Sequence, residues 1–122
     1  MKNLVNQVND VWDDVLKLEI ERLVERVDDV TLKHFITNFP KLYKLGLTPK
    51  LEVRETKKYY KLVMGKTTWG FIVKNDGVYK NENVFRGDLM KAATHNTPAK
   101  HSRGNIIKGT DMWTYLGPVY LK

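Results

Sequence analysis

No cysteine occurs in the 122-residue chain. Disulfides and thiolate zinc sites are therefore excluded, and a reducing compartment is the natural setting. No glycine or proline falls between residues 2 and 39, so nothing local stops a helix there. No apolar run approaches the roughly 20 residues of a membrane span. The opening MKNLVNQVNDVWDD places acids where a signal peptide needs an unbroken apolar stretch. The three histidines, His34, His95 and His101, form no HxxxH or HxH pair, and no GxSxG, Walker or GxGxxG motif is present. These absences predict a cytoplasmic chain with no membrane partner, no metal, no cofactor and no catalytic constellation. His95 and His101 keep one enzymatic alternative open, a metal-free nuclease or phosphodiesterase.

What is present points to one domain over residues 1–122. The length is that of a typical domain, and 42% hydrophobic residues suffice for a core. Charge is uneven. Residues 1–30 carry four Lys/Arg and eight Asp/Glu, a net −4, and the remainder carries 17 and six, a net +11. The basic part suits a polyanion such as a nucleotide or nucleic acid, or simply a solvated surface.

Two periodicities divide the chain. Val8, Val11, Trp12, Val15, Leu16, Leu18, Ile20, Leu23, Val24, Val27 and Val30 recur mostly three or four residues apart, which predicts a long amphipathic helix. Trp12 and Leu18 fall toward the edges of the stripe. The stripe is expected to pack against a second copy, making residues 1–45 a helical dimerisation segment; packing on the chain's own sheet is the plainer alternative. Asp28-Asp29-Val30-Thr31 suggests a break with a new cap, Pro40 a further helical turn and Gly46 its stop.

From Leu51 the period becomes two. Leu51–Glu55, Tyr60–Met64 and Trp69–Val73 read as antiparallel strands. Asn75-Asp76-Gly77 reads as a hairpin turn leading to Val78-Tyr79-Lys80. Asp88–Ala93 reads as a short helix capped by Asp88, and the aromatic stretch from Met112 is expected to tuck against the sheet or a neighbouring subunit. The predicted fold is α+β: a long N-terminal amphipathic helix, then a small antiparallel sheet with a short helix and a basic loop. Residues 51–122 would hold the sheet and the ligand-binding loops.

The basic loop is Pro98-Ala-Lys-His-Ser-Arg-Gly-Asn-Ile106. Arg103 can hold a phosphate with two parallel hydrogen bonds, Gly104 allows close backbone approach, and Asn105 both donates and accepts. Lys100 and His101 add positive charge. Upstream, Trp69-Gly70-Phe71 would place two aromatics on one face, and an aromatic face beside basic groups holds an unpaired base. Core is the plainer reading of those aromatics, and an interface salt bridge that of Arg103.

The run Trp69-Gly-Phe-Ile-Val-Lys, then Asn-Asp-Gly-Val-Tyr-Lys, Gly87-Asp-Leu-Met-Lys-Ala-Ala and the Pro98–Ile106 block resembles the first family of phage Thoeris anti-defence proteins. These are sponges that sequester a cyclic ADP-ribose signal without destroying it. The resemblance covers about residues 59–106, and the Pro-Ala-Lys-His-x-Arg-Gly-Asn block is its most specific part. Two features depart from the pattern: the segment after Tyr79 is expanded by residues 81–86, and Thr94-His95-Asn96 replaces an aromatic.

The resemblance implies a non-enzymatic protein in the cytoplasm of an infected bacterium. It also implies a subunit that dimerises through its long helix, with dimers assembling further and pockets near the subunit interface. The ligand would be glycocyclic ADP-ribose, with cyclic oligonucleotide signals as a second class. Carried over, Phe71 would stack on adenine, Arg103 grip the diphosphate and Asn105 bind a ribose or base edge, with Trp69, Lys91 and His101 at the rim. A basic single-stranded nucleic-acid-binding module remains the non-enzymatic alternative.

Overall fold

The computed structural model describes the backbone of residues 2–119 and the side chains of residues 11–119. The fold is α+β. Among the described residues, helix α1 (Lys2–Asn38) is followed by α2 (Pro40–Lys44) and by nine strands: β1 (Leu51–Glu55), β2 (Tyr59–Met64), β3 (Thr67–Val73), β4 (Gly77–Tyr79), β5 (Glu82–Val84), β6 (Asp88–Ala92), β7 (Pro98–Asn105), β8 (Trp113–Thr114) and β9 (Gly117–Pro118). The main sheet is antiparallel with order β1-β2-β3-β6-β7, and β4-β5 and β8-β9 are separate two-stranded units.

Helix α1 is continuous through the predicted break. The residues that suggested a cap act otherwise. The Thr31 hydroxyl donates to the Val27 carbonyl one turn back, and Asp28 accepts the backbone N–H of Leu51 at 2.9 Å, pinning the start of β1 to the helix. Pro40 opens α2 as expected, and Gly46 ends it with a φ of 71°, a conformation that suits glycine.

Leu16, Ile20, Leu23 and Val27 pack against Leu51, Tyr60, Leu62, Trp69, Ile72, Leu89 and Ile106. Each such burial contributes about 1.5–3 kcal/mol, so this seam fixes the helix on the sheet. The stripe expected to face a second copy is thus taken, at these positions, by the chain's own sheet. Val11, Trp12, Leu18 and Val30 remain exposed; Val8 lies outside the described side chains.

The opposite face of the sheet carries a second core of Phe71, Val73, Val84 and Met90, with Tyr59, Tyr79 and Ala92 packed against it. Here a bulge matters. β2 and β3 pair Leu62 with Gly70 but Val63 with Thr68, so Trp69 is the extra residue. A bulged residue breaks the alternation of faces. Trp69 therefore turns toward α1 while Phe71 points to the other side, and the two aromatics do not share a face. Gly70 has no side chain to place, and a Cβ there would come within 3.0 Å of the Met90 carbonyl oxygen and Pro118 Cγ.

The segment predicted as a helix from Asp88 is the strand β6. Its adjacent residues Leu89 and Met90 are buried on opposite faces, Leu89 with α1 and Met90 in the second core. Two neighbouring apolar residues between Asp88 and Lys91 show no alternation, so periodicity does not separate this strand from a helix. Asn75-Asp76-Gly77 likewise does not make a hairpin within the main sheet, because β3 pairs with β6. The chain leaves the sheet there. The tight turn comes later, at Lys80 and Asn81, both with positive φ, joining β4 to β5 in the manner of a type I′ hairpin. The predicted basic loop is β7, an edge strand. Its exposed Lys100 and His101 guard an open edge against pairing with other chains.

Candidate functional site

The Arg-Gly-Asn block is the place to begin, because its side chains hold backbone groups of their own chain. Arg103 is 6% exposed. Its Nε donates to the Val119 carbonyl at 3.0 Å and its Nη1 to the carbonyl of His101. Burial pushes the guanidinium pKa below its ordinary value. At Gly104, φ is 95° and an added Cβ would lie 2.0 Å from the Thr110 carbonyl oxygen. The close backbone approach expected here is thus to the chain's own turn.

Asn105 is 5% exposed. Its Nδ2 donates to the Arg86 carbonyl and to Asp88 Oδ1, and its Oδ1 accepts the backbone N–H groups of Ile107 and Lys108, all within 2.8–3.1 Å. An amide offers two donors and two acceptor lone pairs, so none is left for a base edge. Asp88 uses its second oxygen to accept the N–H of Phe85. Together Asn105 and Asp88 bind the turn at residues 85–86 to the turn at residues 107–108.

The other predicted site residues are scattered. Phe71 is 1% exposed, with the Tyr59 ring edge-on at 5.7 Å, so no ring face is open to adenine. Trp69 is buried on the helix side, and its Nε1 donates to the Tyr115 carbonyl at 3.1 Å. Lys91 donates to the Pro118 carbonyl at 3.0 Å. His101 is exposed, its Nδ1 3.8 Å from Glu82. Trp69, Lys91 and Arg103 share one task. Each binds a carbonyl of the C-terminal strap at residues 115–119, which fulfils the expectation that this aromatic stretch tucks against the sheet.

The turns tied by Asn105 carry a different set of side chains, and these border a cleft of about 560 Å³. Trp12 on α1 forms one wall and Phe85 another; they are 45% and 48% exposed. Arg86 and Lys108 supply positive charge, and Asp76, Ile107 and Asn105 complete the lining. Arg86 is held in place, with Nε donating to the Lys74 carbonyl and Nη2 to Asn75 Oδ1. Its backbone N–H donates to Asp76 Oδ1, which engages the one carboxylate of the lining. The Lys108 ammonium lies 5.7 Å from the centre of the Phe85 ring, a cation–π distance. Two exposed aromatics and two cations around one hollow are the groups that hold a base and its phosphates.

Of the predicted residues only Asn105 reaches this cleft, as a buried floor. Trp12, Phe85, Arg86 and Lys108 were not singled out. One signal was available: Phe85 and Arg86 belong to the expanded segment after Tyr79. Trp12 at the edge of the helical stripe was a second.

Among the described residues, no group of three or more His, Asp or Glu side chains is placed to hold a metal ion, and no helix is long and apolar enough to cross a membrane. No curated protein and no solved structure matches the chain. A family model does match, over residues 3–116, and the chain belongs to that family, a family of unknown function designated DUF7717.

Proposed function

We propose that the protein is a binding protein for a phosphate-bearing nucleotide and that it acts by sequestration. The observation that carries this reading is the cleft between Trp12 and the turns bearing Phe85, Arg86 and Lys108. Its volume falls within the roughly 300–1,000 Å³ of small-molecule sites. Its aromatic walls suit a base, and its two cations suit a diphosphate. The turns that present them are fixed before any ligand arrives, which lowers the ordering cost of binding. The resemblance to the Thoeris anti-defence sponges supplies the ligand class, a cyclic ADP-ribose signal such as glycocyclic ADP-ribose, held intact. Arg103 and Asn105 then serve the site indirectly, by fixing the strap and the turns.

Assembly belongs to the same proposal. Val11, Leu18 and Leu32 are exposed at multiples of seven residues along α1, with Glu25 between the last two. Heptad spacing is what keeps such a line against a partner helix. The dimer would use this outer face, away from the Leu16–Val27 seam.

The test is calorimetric titration with glycocyclic ADP-ribose, followed by denaturation and recovery of the ligand. Saturable binding with intact ligand supports sequestration. A cleaved product assigns the protein to hydrolytic chemistry, and binding only to single-stranded oligonucleotides assigns it to nucleic acid.

A further inference from the structure

A buried charge stands on the face of the sheet away from α1, where Lys61 is paired across the ladder with Phe71. Lys61 is 8% exposed. Among the described residues its ammonium has one partner, the neutral Asn96 Oδ1 at 3.1 Å. An ammonium carries three N–H donors, and a buried cation without a carboxylate is costly to the fold. The strand register worsens the position. Arg54 stands directly opposite Lys61 in the β1–β2 ladder, and like charges so placed repel. Glu52 is spent on Arg54, at 3.4 Å.

The turn that supplies Asn96 also supplies a histidine with a fixed tautomer. The Thr68 hydroxyl lies 2.8 Å from the His95 carbonyl oxygen and 2.7 Å from His95 Nδ1. A carbonyl only accepts, so the single hydroxyl proton goes to it. The ring Nδ1 must then donate to Thr68 Oγ1, and Nε2 carries a proton only when the ring is charged. The turn itself is braced by hydrogen bonds between Thr94 and Thr97. It reaches across β3 to β2, where Asn96 meets Lys61, and it ties His95 to Thr68, whose ladder partner Val63 is two residues along β2 from Lys61.

We propose that Lys61, Arg54, Asn96 and His95 form a binding site for a phosphate group. An oxyanion here accepts from the spare N–H groups of Lys61 and relieves its repulsion with Arg54, while a protonated His95 adds a further donor. The site is separate from the cleft at Trp12 and does not depend on the function proposed for that cleft.

The experiment is amide NMR of the whole protein, titrated with inorganic phosphate against chloride at constant ionic strength. Saturable shifts are expected at Thr68, His95 and Asn96. Lys61→Met should abolish them and raise the melting temperature in chloride, since the uncompensated charge is gone. Asn96→Asp lies on an exposed turn and keeps the test valid if Lys61→Met folds poorly. It places a carboxylate beside Lys61, and so should also abolish the phosphate shifts. Adenosine monophosphate moving the same amides at lower concentration than inorganic phosphate would identify the source as a nucleotide, and equal potency would identify phosphate alone; both support the site. No shifts at these residues in the wild type, or shifts that persist in Asn96→Asp, would overturn it.

Discussion

Replacing Arg103 separates a staple from a ligand grip. Its guanidinium is buried, and it donates to the carbonyls of His101 and Val119. The second contact helps hold the C-terminal strap. A hydrogen bond from a charged donor is worth about 1.5–3 kcal/mol net. Val119 is only half-buried, so water partly replaces the lost partner. The sum for Arg103→Ala is then about 2–4 kcal/mol. With an unfolding entropy of about 2.1 cal/mol/K per residue, each kcal/mol lowers the melting temperature of this chain by about 4 °C. The expected fall is about 8–15 °C by circular dichroism without ligand. Arg103→Lys keeps one donor but not the planar fork, and should lose about half as much. Binding measured well below the melting temperature should survive in both variants. A variant that melts with the wild type but no longer binds the nucleotide would refute the reasoning and return Arg103 to the ligand.

Four further outcomes are expected. Phe85→Ala should weaken nucleotide binding by about 1–3 kcal/mol while leaving the melting temperature unchanged, by calorimetry and circular dichroism; unchanged affinity would remove Phe85 from the site. Gly104→Ala should prevent stable folding, because its Cβ would meet the Thr110 carbonyl at a backbone angle that only glycine adopts readily; a soluble variant with a wild-type melting curve would contradict this. Leu18→Glu with Leu32→Glu should leave the protein monomeric by light scattering without unfolding it, whereas an unchanged assembly would place the interface elsewhere. Burial raises the phenol pKa values of Tyr59 and Tyr60, so the folded chain holds these protons more tightly than the unfolded one. That stability is whole below the unfolded phenol pKa of about 10 and is lost as the pH rises through the folded values; phenolate absorbance showing all tyrosines titrating together would contradict it.

Three strands of the main sheet were legible from their aromatic, β-branched and alternating residues: Leu51–Glu55 and Tyr59–Met64 pair in register, and β3 follows. Legibility failed at β6. Leu89 and Met90 sit side by side in the sequence and in two different cores, and no period marks that. It failed again at Trp69, where one extra residue in β3 reverses the alternation. Gly70 beside it was the available signature, since an isolated glycine in a strand marks a bulge or a close backbone approach. The long helix was legible from its lack of breakers. What covers it was not, since an apolar stripe does not say whether its partner is a sheet or another chain.

The internal partners of the Arg-Gly-Asn block were illegible for a different reason, one rooted in its chemistry. A guanidinium, a glycine and an amide suit a phosphate, a close approach and a base edge. They suit two backbone carbonyls, a tight crossing of chains and a four-way amide junction equally well. A carbonyl oxygen and a phosphate oxygen ask the same thing of a donor. Residue types therefore fix what can be donated or accepted, and the three-dimensional path of the chain decides who receives it. Here the path brings Val119, His101, Arg86 and Asp88 to the block. The side chains left facing the cleft lie one layer outward, Phe85, Arg86 and Lys108, on the turns that Asn105 ties together. A junction such as Asn105 tolerates little change, because both its donors and both its acceptor lone pairs have partners. The side chains on the turns it holds have no such constraint, and they are where a change of ligand would be written first.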